Sequence, residues 1–212
     1  MWEKTLYSVP YIGSLSILLP MLIGGVYLKE YSSTLKYFYL YIVLSGITEI
    51  TLIYLSVNSI QNHFLFNIFS LIELTLIVRF LSLINKENRF HFIAFLIFSI
   101  CWIAIVIYDG IALINSKIFL LKSIFITIIG FIALVNYFKE ISYSYITKDP
   151  IFILLFGVSF YAISSFAIFG LSDYLIFHPD FFNTFLLING TINLITNITY
   201  LYAYLCPIIY KT

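Results

Sequence analysis

Charge is what this sequence has least of. Only 10% of its 212 residues are charged, against 62% hydrophobic, whereas soluble domains carry about 25% charged residues. A chain so poor in charge cannot keep a water-facing surface, so the solvent it is built for is lipid. A mean hydropathy of +1.03 says the same. The net charge is only +1, which leaves no basic patch for nucleic acid and excludes it as a partner. Cysteine is scarce: Cys101 and Cys206 each fall in an apolar run, so there is no disulfide framework. Histidine is scarce too. His63 falls at the outer end of one apolar run, His91 at the inner end of the next and His178 in an outer loop, and neither H-x-x-x-H nor H-E-x-x-H occurs, so no metal is expected. There is no phosphate-binding glycine loop, so no cofactor is expected, and an intramembrane enzyme remains an alternative with no recognisable nucleophile or metal set to support it. No Ala-x-Ala-like site follows the first apolar run, which is therefore read as a retained helix.

What is present is length of apolar sequence. A helix needs about 20 apolar residues to cross the hydrocarbon core of a bilayer. Seven segments qualify, at roughly Tyr7–Leu28, Tyr37–Val57, Asn62–Ile84, His91–Ile114, Ser116–Phe138, Ile151–Leu171 and Asn183–Leu205. The expected fold is all-α, a single integral membrane domain of seven transmembrane helices. Its connectors are short, "NSIQ" and "NKENRF" among them, and the longest polar loop is "KEISYSYITKDP". With seven spans, Lys29, Lys36, Arg79, Lys86, Arg89, Lys139, Lys148 and Lys211 lie on one side, and only Lys4, Lys117 and Lys122 on the other. That bias places the N-terminus outside and the C-terminus in the cytoplasm of a plasma (inner) membrane.

A few polar residues interrupt the apolar runs. Glu73 lies in the middle of "NHFLFNIFSLIELTLIVRF", and Glu49 holds a comparable depth in "LSGITEITL". A charge at such depth costs at least about 2.5–3.5 kcal/mol if it faces lipid. At about 100° per residue, Asn67, Ser70 and Glu73 share a broad arc with Asn62 and His63. Tyr41, Ser45 and Glu49 share a narrower arc, with Ser56, on the preceding helix. The last helix carries a third polar face in "NGTINLITNITYLYAYL", made of Asn189, Asn193, Thr196, Asn197, Tyr200 and Tyr204. Buried amides must find partners or water. The three faces are expected to meet inside the bundle, either as a ligand or ion site or as hydrogen-bonded packing seams in which the carboxyls are neutral. Lys122 falls a turn or two inside its helix, where its stem can snorkel to the surface, and Asp109 across the short hairpin is its expected partner. Arg79 is read as a similar interfacial anchor. Pro20 predicts a kink in the first helix. Gly24, Gly25, Gly157, Ser164 and Ser165, with Tyr161 among them, are expected to allow close helix contact.

"LSGITEI" followed by "NHFLFNIFSLIEL", together with the Asn-rich "NGTINLITNITYLYA", resembles an uncharacterised family of small bacterial seven-span membrane proteins. The resemblance implies Glu49, Asn67, Glu73 and Asn193 as matched positions and brings no established activity. Other seven-helix plans fit less well. A retinal protein needs a lysine within the last helix, which has none before Lys211. Small sugar transporters share the span count, but their Pro-Gln dipeptide is absent. Two functions follow as expectations. One is binding or conducting a small solute or cation at the polar site. The other is an accessory or sensory subunit that acts through a second copy or a partner membrane protein in the bilayer.

Overall fold

Helix is the only regular structure that satisfies the backbone of an apolar run without a neighbouring strand, and the chain uses it throughout. The computed structural model describes residues 2–85, 88–112, 116–140, 143–171 and 179–210, with no strand among them. The helices are α1 (Trp2–Leu15), α2 (Leu18–Val26), α3 (Ser33–Val57), α4 (His63–Asn85), α5 (Asn88–Asp109), α6 (Ser116–Glu140), α7 (Pro150–Gly170) and α8 (Pro179–Tyr210). Short 3-10 turns at Leu28–Glu30 and Tyr143–Lys148 lead into α3 and α7. Seven stretches are long and apolar enough to cross a membrane. α1 and α2 together make the first, Val9–Val26.

Local chemistry sets the helix ends. Ser32 caps α3 by accepting from the Leu35 N–H at 3.3 Å. Asp149 caps α7, accepting from the N–H groups of Ile151 at 2.8 Å and Phe152 at 3.1 Å. Pro150 follows at the first helical position, where its missing N–H costs nothing. The same carboxylate accepts the Tyr137 hydroxyl of α6 at 2.9 Å, so one residue starts α7 and ties it to its neighbour. Asp149→Ala is expected to cost about 1–2 kcal/mol, read as a lower midpoint of unfolding in detergent. The fourth apolar stretch stops earlier than its hydropathy suggests. It ends at Asp109, not near Ile114, because Gly110 takes a left-handed φ of +85° and terminates the helix.

The helices close a ring. α1 and α2 pack on α3, α3 on α4, α4 on α6, α6 on α7, α7 on α8, and α8 back on α1 and α2. α5 is left out of the ring and lies against α4 and α6. It is the most exposed of the apolar helices, presenting Phe92, Ile93, Ile100 and Ile107 outward. An outer surface of that kind is stable in lipid and not in water.

Inside one end of the ring sits an aromatic cluster. The Phe38 ring meets Phe80 at 4.7 Å and Tyr41 and Tyr200 at 5.1 Å each. Tyr31 and Tyr204 extend it, with ring centroids 5.2 Å apart. The Tyr31 hydroxyl donates to the Tyr204 carbonyl at 2.9 Å, and the Tyr204 hydroxyl donates to the Leu35 carbonyl at 3.3 Å. Burial, helped by the Glu30 charge, pushes the Tyr31 phenol up to about 12. A raised phenol keeps its full stabilising effect below the ordinary value of about 10 and loses it as pH climbs through 12. The latch therefore holds across the neutral range. Phe38, Phe80 and Tyr204 have no exposed surface, so this end of the ring is closed by rings.

Candidate functional site

Beyond the aromatic cluster the ring encloses a polar cavity of about 60 Å³, room for a few water molecules at roughly 10–15 Å³ each. α3 contributes Tyr41, Ser45 and Glu49, one helical turn apart. α8 contributes Asn193, Thr196, Asn197 and Tyr200. Phe69 and Glu73 come from α4, Tyr161 from α7, and Ser14 and Ile17 from the first apolar stretch. The polar faces of α3 and α8 thus converge with one residue of the α4 arc.

Glu73 is the most constrained group. It lies near the midpoint of α4 and is 3% exposed. Its Oε1 accepts the Tyr41 hydroxyl at 3.3 Å, and its Oε2 is paired with Nζ of Lys122. Lys122 is 3% exposed and does not snorkel. It sits six residues into α6, about 9 Å deep at 1.5 Å per residue, and Glu73 sits ten residues into α4, about 15 Å deep. The lysine stem therefore runs inward, and Phe119 and Tyr161 lie within 5.4 Å and 6.0 Å of its ammonium. Snorkelling is the cheapest course for a lone buried lysine. A carboxylate on the adjacent helix offers a better one. Asp109 pairs with Lys117 instead, at 2.9 Å on the exposed rim.

Glu49 is different. Its carboxyl meets the Ser14 side chain, and among the described residues it has no cationic partner. Among those residues Thr196 Oγ1 has no hydrogen-bond partner, and Ser45 Oγ and Tyr200 Oη lie beside the Tyr41 hydroxyl without forming a well-aligned bond to it. Their residues are 3%, 8% and 1% exposed. Buried hydroxyls left unpaired are costly, and such groups call for a water or an ion.

The first apolar stretch is broken beside this cavity. Pro20 has no N–H to give the Ser16 carbonyl, and its ring crowds that carbonyl. The chain responds with three-residue bonds, Ile17 N–H to Ser14 O at 3.4 Å and Leu19 N–H to Ser16 O at 3.1 Å, so α1 ends at Leu15, ahead of Pro20. The break frees the Gly13 carbonyl, which accepts from Ser16 Oγ and from Asn197 Nδ2 at 3.3 Å. Asn197 also donates to Ser16 Oγ at 2.8 Å. One amide of the α8 stripe thus caps a broken helix at the cavity wall.

Asn67 and Ser70 do not line the cavity. The Trp102 indole N–H of α5 donates to the Asn67 carbonyl at 3.1 Å and to Ser70 Oγ at 3.2 Å, and Asn67 Nδ2 reaches the Ile111 carbonyl at 2.9 Å. These residues fasten α5 to the ring. At about 100° per residue, Asn67 and Glu73 are about 120° apart, enough to face different neighbours. Asn189 is outside the cavity's lining, and Ser56 is exposed. Ser14, Phe69 and Tyr161 belong to the site without having been expected there. Tyr161 was visible in the Gly157–Ser165 face, which also packs closely: a Cβ on Gly157 would come within 2.8 Å of the Tyr200 ring. No group of three or more metal-binding side chains occurs among the described residues; His178 lies outside them. No family model, curated protein or solved structure matches the chain.

Proposed function

We propose that this is an integral membrane protein of the plasma (inner) membrane whose cavity binds or conducts a small solute or cation. The observation that carries the reading is the meeting of Glu49 and Glu73 with the unpartnered Thr196 hydroxyl in one polar cavity of an otherwise apolar bundle. Polar and ionisable residues at such depth mark solute and ion paths.

The basic-residue bias sets the N-terminus outside and the C-terminus in the cytoplasm. The aromatic cluster then lies toward the cytoplasm and the cavity toward the outer half of the bilayer.

Reconstitution into proteoliposomes tests the reading. Uptake of sodium, potassium or a small neutral solute such as glycerol should exceed that of empty vesicles. Glu49→Gln should lower the cation flux by about tenfold or more, the equivalent of a charged-group interaction of roughly 1.5–3 kcal/mol. No flux and no binding of any of these probes would exclude the proposal.

A further inference from the structure

The charges facing the cavity do not balance, and the imbalance has a definite size. Two carboxyls reach it, Glu49 and Glu73. One ammonium, Lys122, is already paired with Glu73. When both carboxyls are ionised, one negative charge is left over, and it sits on Glu49. Ser14 meets Glu49 directly, and the other hydroxyls that line the same cavity are those of Tyr41, Ser45, Tyr161, Thr196 and Tyr200, of which Thr196 Oγ1 has no hydrogen-bond partner among the described residues. Oxygen donors suit hard cations and offer nothing to soft transition metals.

We infer that the cavity takes one hard monovalent cation at Glu49, and that Lys122 is the residue that sets this charge limit by acting as a tethered cation on the second carboxyl. The inference rests on the reading of the cavity as a ligand site and adds to it the ligand's class. A monovalent ion neutralises the surplus charge. A divalent ion would leave a net positive charge in a site walled by Phe69, Ile17 and tyrosine rings, where an unpaired charge is strongly disfavoured. Without Lys122 the same two carboxyls would carry two negative charges, the count a divalent ion requires.

The test is ligand-dependent thermal unfolding of the full chain in detergent at one pH and one ionic strength, with N-methylglucamine chloride as the reference salt. A ligand that binds only the folded state raises the unfolding temperature. For the wild type, sodium or potassium chloride should raise it by a few degrees, and calcium or magnesium chloride should not. Glu49→Gln should lose the sodium and potassium response. Lys122→Gln should reverse the preference, gaining a calcium or magnesium response. Where that variant needs the divalent ion to be purified at all, the double variant Glu73→Gln/Lys122→Gln supplies the control. It keeps one carboxylate and should keep the monovalent response. A wild type that responds to calcium as strongly as to sodium, or a Glu49→Gln variant that still responds to sodium, overturns the inference. If no cation shifts the unfolding temperature but glycerol swells proteoliposomes in a manner sensitive to Glu49→Gln, the cation class falls and the ligand site stands. If neither occurs, both fall.

Discussion

Lys122→Met is expected to destabilise the protein by about 3–5 kcal/mol, the cost of leaving one member of a buried ion pair alone. The carboxylate left behind is Glu73, 3% exposed, with only the Tyr41 hydroxyl at 3.3 Å still in contact among its described partners. Glu73→Gln should cost a similar amount through the stranded ammonium. The double variant Glu73→Gln/Lys122→Met should recover most of the loss, because buried ion pairs are themselves expensive to desolvate and neutral replacements of similar volume are often no worse. The measurement is a double-mutant cycle on unfolding in mixed detergent, which isolates the pair from the separate cost of each truncation. A Lys122→Met variant as stable as the wild type would mean that the ammonium reaches the surface after all. The asymmetry between the single and double variants is the signature of an ion pair as opposed to two independent packing residues.

That pair was hidden in the sequence for a topological reason. α4 and α6 are separated by the whole of α5, and hydropathy places residues by depth along a helix without saying which helices touch. Depth alone made Lys122 a snorkelling residue and Asp109 its nearest acid. The ring order, with α5 pushed outside, brings Glu73 within reach instead. The α8 stripe was far more legible. Asn193, Asn197 and Tyr200 lie on one helix, so their shared face follows from the helical period, and all three line the cavity. Ser45 and Glu49 on α3 follow by the same logic. The α4 arc was broader than one neighbour can cover. Glu73 went to the cavity, whereas Asn67 and Ser70 went to Trp102. The existence of the apolar stretches was written in composition. The early end of α5 depended on one glycine's backbone angle, which composition does not carry.

Gly13→Ala is expected to separate α1 from α8 and remove ligand response. A Cβ on Gly13 would lie 2.2 Å from the Gly190 carbonyl oxygen, and the obstacle is backbone, which cannot rotate away as a side chain can. Gly190 faces the same limit, since its own Cβ would meet the Pro10 Cα at 2.8 Å and the Val9 carbonyl at 2.9 Å. Overpacking a well-filled contact costs about 1–3 kcal/mol, and a clash between two backbones belongs at or above the upper end. The functional loss should exceed the loss of stability. Gly13 is the residue whose carbonyl Asn197 caps, at 3.3 Å, and its neighbours Ser14 and Ile17 line the cavity. Pushing α1 outward by the width of a methyl group therefore breaks the cap and moves the Ser14 side chain away from Glu49. Asn197→Ala removes the cap without the clash, so it provides the comparison: a smaller destabilisation, of about 0.5–1.5 kcal/mol per lost hydrogen bond, because Ser16 Oγ still donates to the Gly13 carbonyl and α1 stays seated on α8. If Gly13→Ala unfolded at the wild-type temperature and kept the wild-type sodium response, the close approach of the two helices would not be what holds the broken first helix against the cavity.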